Sequence, residues 1–298
     1  MNNPFVSIIM SVFNDERYLP DSIESILSQT YKNFEFIIVN DGSSDSSLKI
    51  LEHYAALDDR IVLLDQKNHG LTKSLNRALG ICKGDYIARM DSDDISDSLR
   101  IEKQIDFLMK NQEYALVGTN VVKIDKNGKQ LYINSTKYRD NSIRKTLKYR
   151  NCFAHGSVMI NSKIISGKIR YDEDFKYAQD YKLWTSIAKS HKVANLKEPL
   201  YKLRIHDKSI TQKNIEEQSI YAGIVAYEFH FQKNIDDIDD AIVHNKELRK
   251  KIGIILLFNG QAELSRRYLS KSDPYYYASK IAKILRMKRI KTLIKKIR

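Results

Sequence analysis

Two cysteines are all the chain has, Cys82 and Cys152, far apart and in no CxxC or Cys/His arrangement. That excludes a disulfide framework and a zinc site of the usual spacing, and it suits a reducing compartment. No apolar run approaches the roughly 20 residues of a membrane span. Nothing at the N-terminus has the basic start and apolar stretch of a secretory signal, because the run Phe5 to Phe13 is strand-like and ends at Asn14-Asp15-Glu16. Glycine-rich phosphate loops are missing as well. "SVFNDERYLP" stands where G-x-G-x-x-G would follow the first strand, and no G-x-x-x-x-G-K-[ST] occurs, which disfavours dinucleotide and P-loop enzymes. There is no internal repeat and no low-complexity stretch.

What is present is a chain of 298 residues, which fits one large domain or one domain plus an appendage, with 42% hydrophobic content, enough for a sizeable core. The formal net charge of +13 is unevenly placed, since residues 280–298 hold nine Lys or Arg and no acid. The body is nearly balanced and the tail is basic.

Along the first half, β-branched runs alternate with segments whose apolar residues recur at helical spacing. "FVSIIMSVF" precedes "LPDSIESILSQ", "FEFIIVN" precedes "SSLKILEHYAAL", "IVLL" precedes "LTKSLNRALGI", and "YIARM" precedes "SLRIEKQIDFLMKN". Four such units predict an α/β fold with a mostly parallel, Rossmann-like sheet flanked by helices. After residue 112 the rhythm changes. "YALVGTNVVKID" and "KQLYIN" flank Lys126-Asn127-Gly128 and predict a hairpin; "AHGSVMI" (154–160) and "YKLRI" (201–205) read as strands, and "YKLWTSIAKS" (181–190) as a helix. From about residue 209 the pattern is helical, with 216–231 the clearest case. The expected division is an α/β domain over 1–208 and a C-terminal helical region with a basic tail over 209–298.

In open parallel sheets, ligands sit beyond the C-terminal ends of the strands. Here those ends are acidic: Asn14-Asp15-Glu16, Asn40-Asp41-Gly42 and Asp91-Ser92-Asp93-Asp94. Asp41 is also a common turn residue, and Asp180 in "AQDYKLW" can be read as a helix N-cap. The run from Asp91 to Asp94 is harder to explain by local structure, because like charges so close call for a cation or for hydrogen-bond donors. Carboxylates select hard cations such as Mg²⁺ or Mn²⁺, and Mg²⁺ commonly completes its shell with phosphate oxygens of the substrate. A nucleoside diphosphate group is therefore the expected ligand.

The segment from "VSIIMSVFNDERYLP" through "FEFIIVNDGSSD" and "HGLTKSLNRALGICKGDYIARMDSDD" resembles the N-terminal half of family 2 inverting glycosyltransferases of GT-A fold. The resemblance continues through "AHGSVMI", "AQDYKLW" and "YKLRIHDKSIT", over about residues 5–211. It implies a GT-A fold and a hexosyl- or N-acetylhexosaminyltransferase that takes a nucleotide-sugar, UDP-linked by expectation, with Mn²⁺ or Mg²⁺. By the same resemblance Phe13, Asn14, Asp15 and Asp41 hold the nucleotide. Asp91 and Asp93 match the DxD acids on the ribose and the diphosphate-bound metal, with His206 a further candidate ligand. Asp180 matches the catalytic base, and His155 falls on the acceptor side. The family more often has Glu-Asp where this chain has Gln179-Asp180, so one neighbouring charge is absent.

The implied acceptor is a glycan or lipid-linked oligosaccharide of the cell surface, and the implied place is cytoplasmic, peripheral at the inner face of the membrane, with the basic tail on anionic lipid. No nucleic-acid partner is expected, because the body lacks a basic stripe with interleaved aromatics. The alternative is a catalytically inactive sugar- or nucleotide-binding module of the same fold.

Overall fold

The structure, a computed structural model, describes residues 3–206, 215–235, 238–258 and 261–276. The basic end, residues 280–298, lies outside them. By its contacts the chain divides into two units, one of residues 1–144 and 152–209 and the other of 145–151 and 210–298.

The first unit begins with β1 (Val6–Val12), α1 (Leu19–Leu27), β2 (Phe34–Asp41), α2 (Ser47–Leu57), β3 (Ile61–Gln66), α3 (Leu71–Leu79) and β4 (Tyr86–Arg89). It continues with β5 (Ile95–Ser96), α4 (Arg100–Lys110), β6 (Tyr114–Ile124), β7 (Gln130–Asn134), α5 (Asp140–Leu147, which runs into the second unit), β8 (Met159–Asn161), α6 (Gln179–Ser190) and β9 (Lys192–Arg204). Every residue of β1 and β2 is buried, the mark of strands covered on both faces by helices. Leu19, Ile23 and Ile26 of α1 and Ile101, Ile105 and Leu108 of α4 pack with Ile8, Met10, Phe36 and Ile38 in one core.

The sheet runs β3-β2-β1-β4-β8-β6-β9-β5, with β7 added to β6. Strands β3, β2, β1 and β4 are mutually parallel, β8 is antiparallel to both of its neighbours, and β6 and β9 are parallel again. This is the expected α/β architecture of GT-A type. The predicted hairpin is β6–β7.

Two sequence expectations need correction. Residues 154–160 do not form one strand: His155–Ser157 is a 3-10 turn and only Met159–Asn161 is extended. The turn carries the backbone close beneath other side chains, for a Cβ on Gly156 would lie 1.8 Å from the Tyr201 hydroxyl. Strand β9 starts at Lys192 rather than near Tyr201. Its pairing with β6 jumps from Thr119↔Leu196 to Val121↔Tyr201, so the polar "KEP" stretch bulges out of register and hides the strand in the sequence. Asn120 holds the bulge by donating to the Lys197 carbonyl at 2.7 Å.

In the second unit α7 (Ile215–Phe231) is followed by α8 (Ile238–His244), α9 (Lys246–Phe258) and α10 (Ala262–Ser265). Ile224, Val225 and Phe229 of α7 are buried, as are Leu248, Ile252 and Ile255 of α9. Lys251 lies buried among them, donates to the Lys148 carbonyl at 2.8 Å and sits over the Tyr149 ring. Burial pushes its ammonium down to about 8.

Candidate active site

The parallel registers bring the ends of β1, β2 and β4 to one rim, and hydrogen bonds between their loops fix it. Asn14 adopts a left-handed backbone, φ 53°, a conformation that Asn tolerates better than most residues. Its Oδ1 accepts from the Ser44 amide at 2.7 Å, and its own amide donates to Ser43 Oγ at 3.1 Å. The Asp15 amide donates to Ser47 Oγ at 3.0 Å. So locked, the loop leaves the Phe13 ring 51% exposed on the rim, an apolar face open to a flat ligand.

Asp41 is used differently from a rim carboxylate. It is 2% exposed, and it accepts from Gln66 Nε2, the His69 amide and the Gly70 amide at 2.8, 2.8 and 2.9 Å. Its visible work is to hold the loop between β3 and α3. Beside that loop an open pocket of about 480 Å³ is lined by Gln66, His69, Lys73, Arg77 and Glu173.

The acidic stretch after β4 resolves into three roles, where the sequence suggested one shared cation. Asp91 is ion-paired with Arg89, two residues back on the same strand, so a guanidinium supplies the charge the sequence sought in a bound ion. Asp94 is buried, and its Oδ1 accepts from the Arg204 amide at 2.7 Å, tying the loop to the end of β9. Burial, then the charges of Asp93 and Asp91, push the Asp94 carboxyl well up. Asp93 is half-buried, with Oδ2 2.8 Å from His206 Nε2.

The loop is held from beneath by α1. Ser22 Oγ donates toward the carbonyls of Ser92 and Asp94 at 2.7 and 2.6 Å, and Gln29 Nε2 donates to the Asp97 carbonyl at 2.7 Å. Arg204 Nε donates to the Asp93 carbonyl at 2.8 Å, with its guanidinium over the Tyr18 ring.

Asp15 joins this acid group. Its Oδ2 accepts from Ser92 Oγ at 2.7 Å; burial, with the charge of Asp93 adding and the Ser92 bond opposing, pushes its carboxyl up to about 6. Crowded acids driven toward protonation would be relieved by a cation. The Asp93–His206 pair offers one hard oxygen and one imidazole nitrogen, a donor set that fits Mn²⁺ or Mg²⁺ provided that substrate oxygens or water complete the shell. Among the described residues no group of three His, Cys, Asp or Glu is arranged to hold an ion without such help.

A second group forms around the buried Tyr171 hydroxyl. His155 Nε2 lies 2.9 Å from it, and both rings pack edge-on against Trp184. Burial, with Arg89 near by, keeps the His155 imidazole well below its ordinary range and hence uncharged at neutral pH. Tyr171 is pushed up mainly by burial, with Asp180 and Asp91 close enough to contribute. Asp180 sits in the first turn of α6, behind the left-handed Ala178 (φ 57°). Ala178 occupies the N-cap, so capping does not explain Asp180.

The structure thus gathers Asp15, Asp93 and His206 into one group, and His155 and Asp180 around Tyr171 into another, with Asp91 and its partner Arg89 close to both. Asp41 is set apart in its loop. The sequence reading missed Arg89, Arg204, Asn76 and Tyr171. For Arg89 a signal existed, a lone charge inside the apolar strand "YIARM".

Comparison with known proteins adds the family. The model of "Glycosyl transferase family 2" matches residues 7–168. An O-antigen biosynthesis glycosyltransferase of Escherichia coli, WbnJ, is 37% identical over 244 residues, covering 80% of this chain and 94% of that protein. The putative glycosyltransferase EpsE of Bacillus subtilis is 36% identical over 234 residues, 76% of this chain and 82% of its own length. Among solved structures, S. aureus TarS 1-349 in complex with UDP-GlcNAc superposes with a TM-score of 0.64 at 16% identity, covering 92% of this chain and 78% of that one. The mannosyltransferase PcManGT from Pyrobaculum calidifontis, in complex with GDP-Man and Mn²⁺, gives 0.61 at 13% identity, over 96% and 81%.

Proposed function

The chain belongs to glycosyl transferase family 2, and from that premise we propose that it is a metal-dependent inverting enzyme that moves a sugar from a UDP-sugar to a hydroxyl of a cell-surface glycan precursor. The observation that carries this reading is that the acids meet two different settings, Asp93 at His206 with the Arg89-paired Asp91 close by, and Asp180 beside Tyr171. Inverting transfer needs two different helpers, one for the departing diphosphate and one for the attacking hydroxyl.

In this reading Phe13 lies against the base, and Asp41 keeps the loop around it in place. Asp91, its charge met by Arg89, accepts from the ribose hydroxyls. Asp93 and His206, with diphosphate oxygens, would hold Mn²⁺ or Mg²⁺, which when bound offsets negative charge on the leaving group. Asp180 takes the proton as the acceptor oxygen attacks the anomeric carbon from the face opposite the diphosphate. One C–O bond forms, the bond to phosphate oxygen breaks with its electron pair, and the anomeric configuration inverts. Tyr171 and the uncharged His155, packed against Trp184, form a wall beside Asp180.

The relatives in polysaccharide synthesis support a glycan acceptor, which we place on a lipid carrier at the membrane surface, with residues 280–298 as a basic contact to anionic lipid. Among the described residues no helix is long and apolar enough to cross a membrane. The deciding experiment is calorimetry against a panel of UDP- and GDP-sugars with Mn²⁺, followed by NMR of the product formed from the donor that binds. A product that keeps the donor's anomeric configuration would refute inversion, and tight binding of GDP-sugars alone would refute the UDP assignment.

A further inference from the structure

Strand β7 exposes all five of its residues. Leu131, Tyr132 and Ile133 are 50%, 54% and 53% exposed, and because successive side chains alternate, apolar groups stand on both faces of the strand. This strand is bonded along β6, from Val121↔Asn134 to Ile124↔Gln130. Three apolar side chains in a row at the tip of a hairpin call for a partner.

The charges around them say which kind. Lys126 and Lys129 in the turn and Lys137 just beyond the strand are exposed. Asp125, the acid in the turn, is only half-buried, and its Oδ1 accepts from the amides of Asn127 and Lys129 at 2.9 and 3.0 Å. Three exposed lysines against this one acid leave the hairpin apolar and net cationic. A second copy of the chain would set the same lysines against each other, and lysine on an edge strand works against such pairing. A bilayer with anionic headgroups matches both features, since Tyr, Leu and Ile settle at the interface while lysines reach the headgroups.

We propose that the β6–β7 hairpin docks on an anionic lipid surface. The turn end of the hairpin adjoins the candidate cleft: the Ile124 carbonyl accepts from the Ile205 amide at 2.9 Å, next to His206. Docking would bring the rim to the headgroup layer, where the hydroxyl of a lipid-linked acceptor lies. That last consequence rests on the glycosyltransferase reading; the docking itself does not. It is also separate from any contact made by residues 280–298.

The test uses the full chain carrying Tyr132→Trp and vesicles with brominated acyl chains, of phosphatidylcholine alone or with phosphatidylglycerol. Trp184, the single native tryptophan, is buried and supplies a constant background. With phosphatidylglycerol the added indole should shift to the blue and be quenched, and the effect should fade with salt. Lys126→Gln with Lys129→Gln should lower partitioning by roughly 25-fold, about fivefold for each lysine, and leave transfer to a soluble acceptor unchanged. Co-sedimentation without quenching would overturn the proposal, because another segment would then be doing the binding. So would a concentration-dependent dimer, seen by sedimentation velocity and abolished by Leu131→Ser with Ile133→Ser, which would make the strand a contact between copies. If the wild type transfers no sugar but is quenched, the enzymatic reading fails and the docking stands.

Discussion

Asn76 of α3 holds Tyr171 by both of its backbone groups: Nδ2 donates to the Tyr171 carbonyl at 3.0 Å, and Oδ1 accepts from the Tyr171 amide at 2.8 Å. The same Nδ2 reaches Glu173 at 2.9 Å. A helix that begins at the loop fixed by Asp41 thus positions the residue that lies between His155 and Asp180. The proposed nucleotide side and the proposed acceptor side of the rim are joined through one amide.

Asn76→Ala should therefore loosen the acceptor side more than the donor side. We expect kcat to fall by about tenfold, in line with a positioning error of the kind that costs up to 10²-fold, with UDP affinity nearly unchanged. The kcat and donor KM of the variant check this. A rise in donor KM with kcat intact would mean that Asn76 serves the nucleotide loop instead.

Asp93→Ala should remove the metal dependence of donor binding and leave the fold intact, since the Asp93 carboxylate is half-buried and its bond is to His206, whereas Asp94 is the buried tie. The measurement is UDP affinity with Mn²⁺ and with EDTA. Equal affinity of the wild type under both conditions would defeat the metal role.

How far the sequence foretold this arrangement depends on the range of the interactions. The strand–helix alternation of residues 5–111 is a local pattern, and the fold follows it closely. Asp93 and Asp180 are marked by polar clusters beside apolar elements and by resemblance. Arg204, by contrast, meets the Asp93 carbonyl and the Asp94 carboxylate across more than 100 residues, and nothing local predicts such a meeting. The partition of Asp91, Asp93 and Asp94 into separate roles was equally hidden. It depends on which side chain each acid meets after the sheet has formed.

Asp180→Asn should leave donor affinity as it is and lower transfer by roughly 10²–10⁴-fold, the usual worth of a positioned general base. The fold should survive, because Asp180 is not the N-cap of α6. Turnover near the wild-type level would remove Asp180 from the mechanism.

Arg89 and Asp91 make the opposite kind of pair, one in which removing the cation strands a charge. Arg89 is 2% exposed, and the Asp91 carboxylate depends on it for compensation. Arg89→Met should destabilise the chain, by less than the roughly 3–5 kcal/mol of a fully buried pair broken from one side, because the Asp91 side chain is 29% exposed. Adding Asp91→Asn should restore part of the loss. Chemical denaturation of both variants tests this, and additive losses in the double variant would deny that the two residues act as a pair.

Asp15 gives a prediction with a pH window. Its carboxyl is pushed up to about 6 by burial, against an ordinary 3.8, so the folded chain keeps this proton where the unfolded chain has lost it. Folding then takes up a proton between about pH 4 and 6, and the stability contributed by this site falls as pH rises through that window and stays low above it. Asp15→Asn places a neutral amide there at every pH and can still accept from Ser92. In EDTA it should melt above the wild type at pH 7 to 8, and the gain should shrink through pH 6 and vanish below about pH 4. Melting temperatures across that range decide the matter. A gain of the same size from pH 3.5 to 8 would show that ionisation of Asp15 is not its source, and that the acid group around Asp93 does not carry the excess charge a bound cation would relieve.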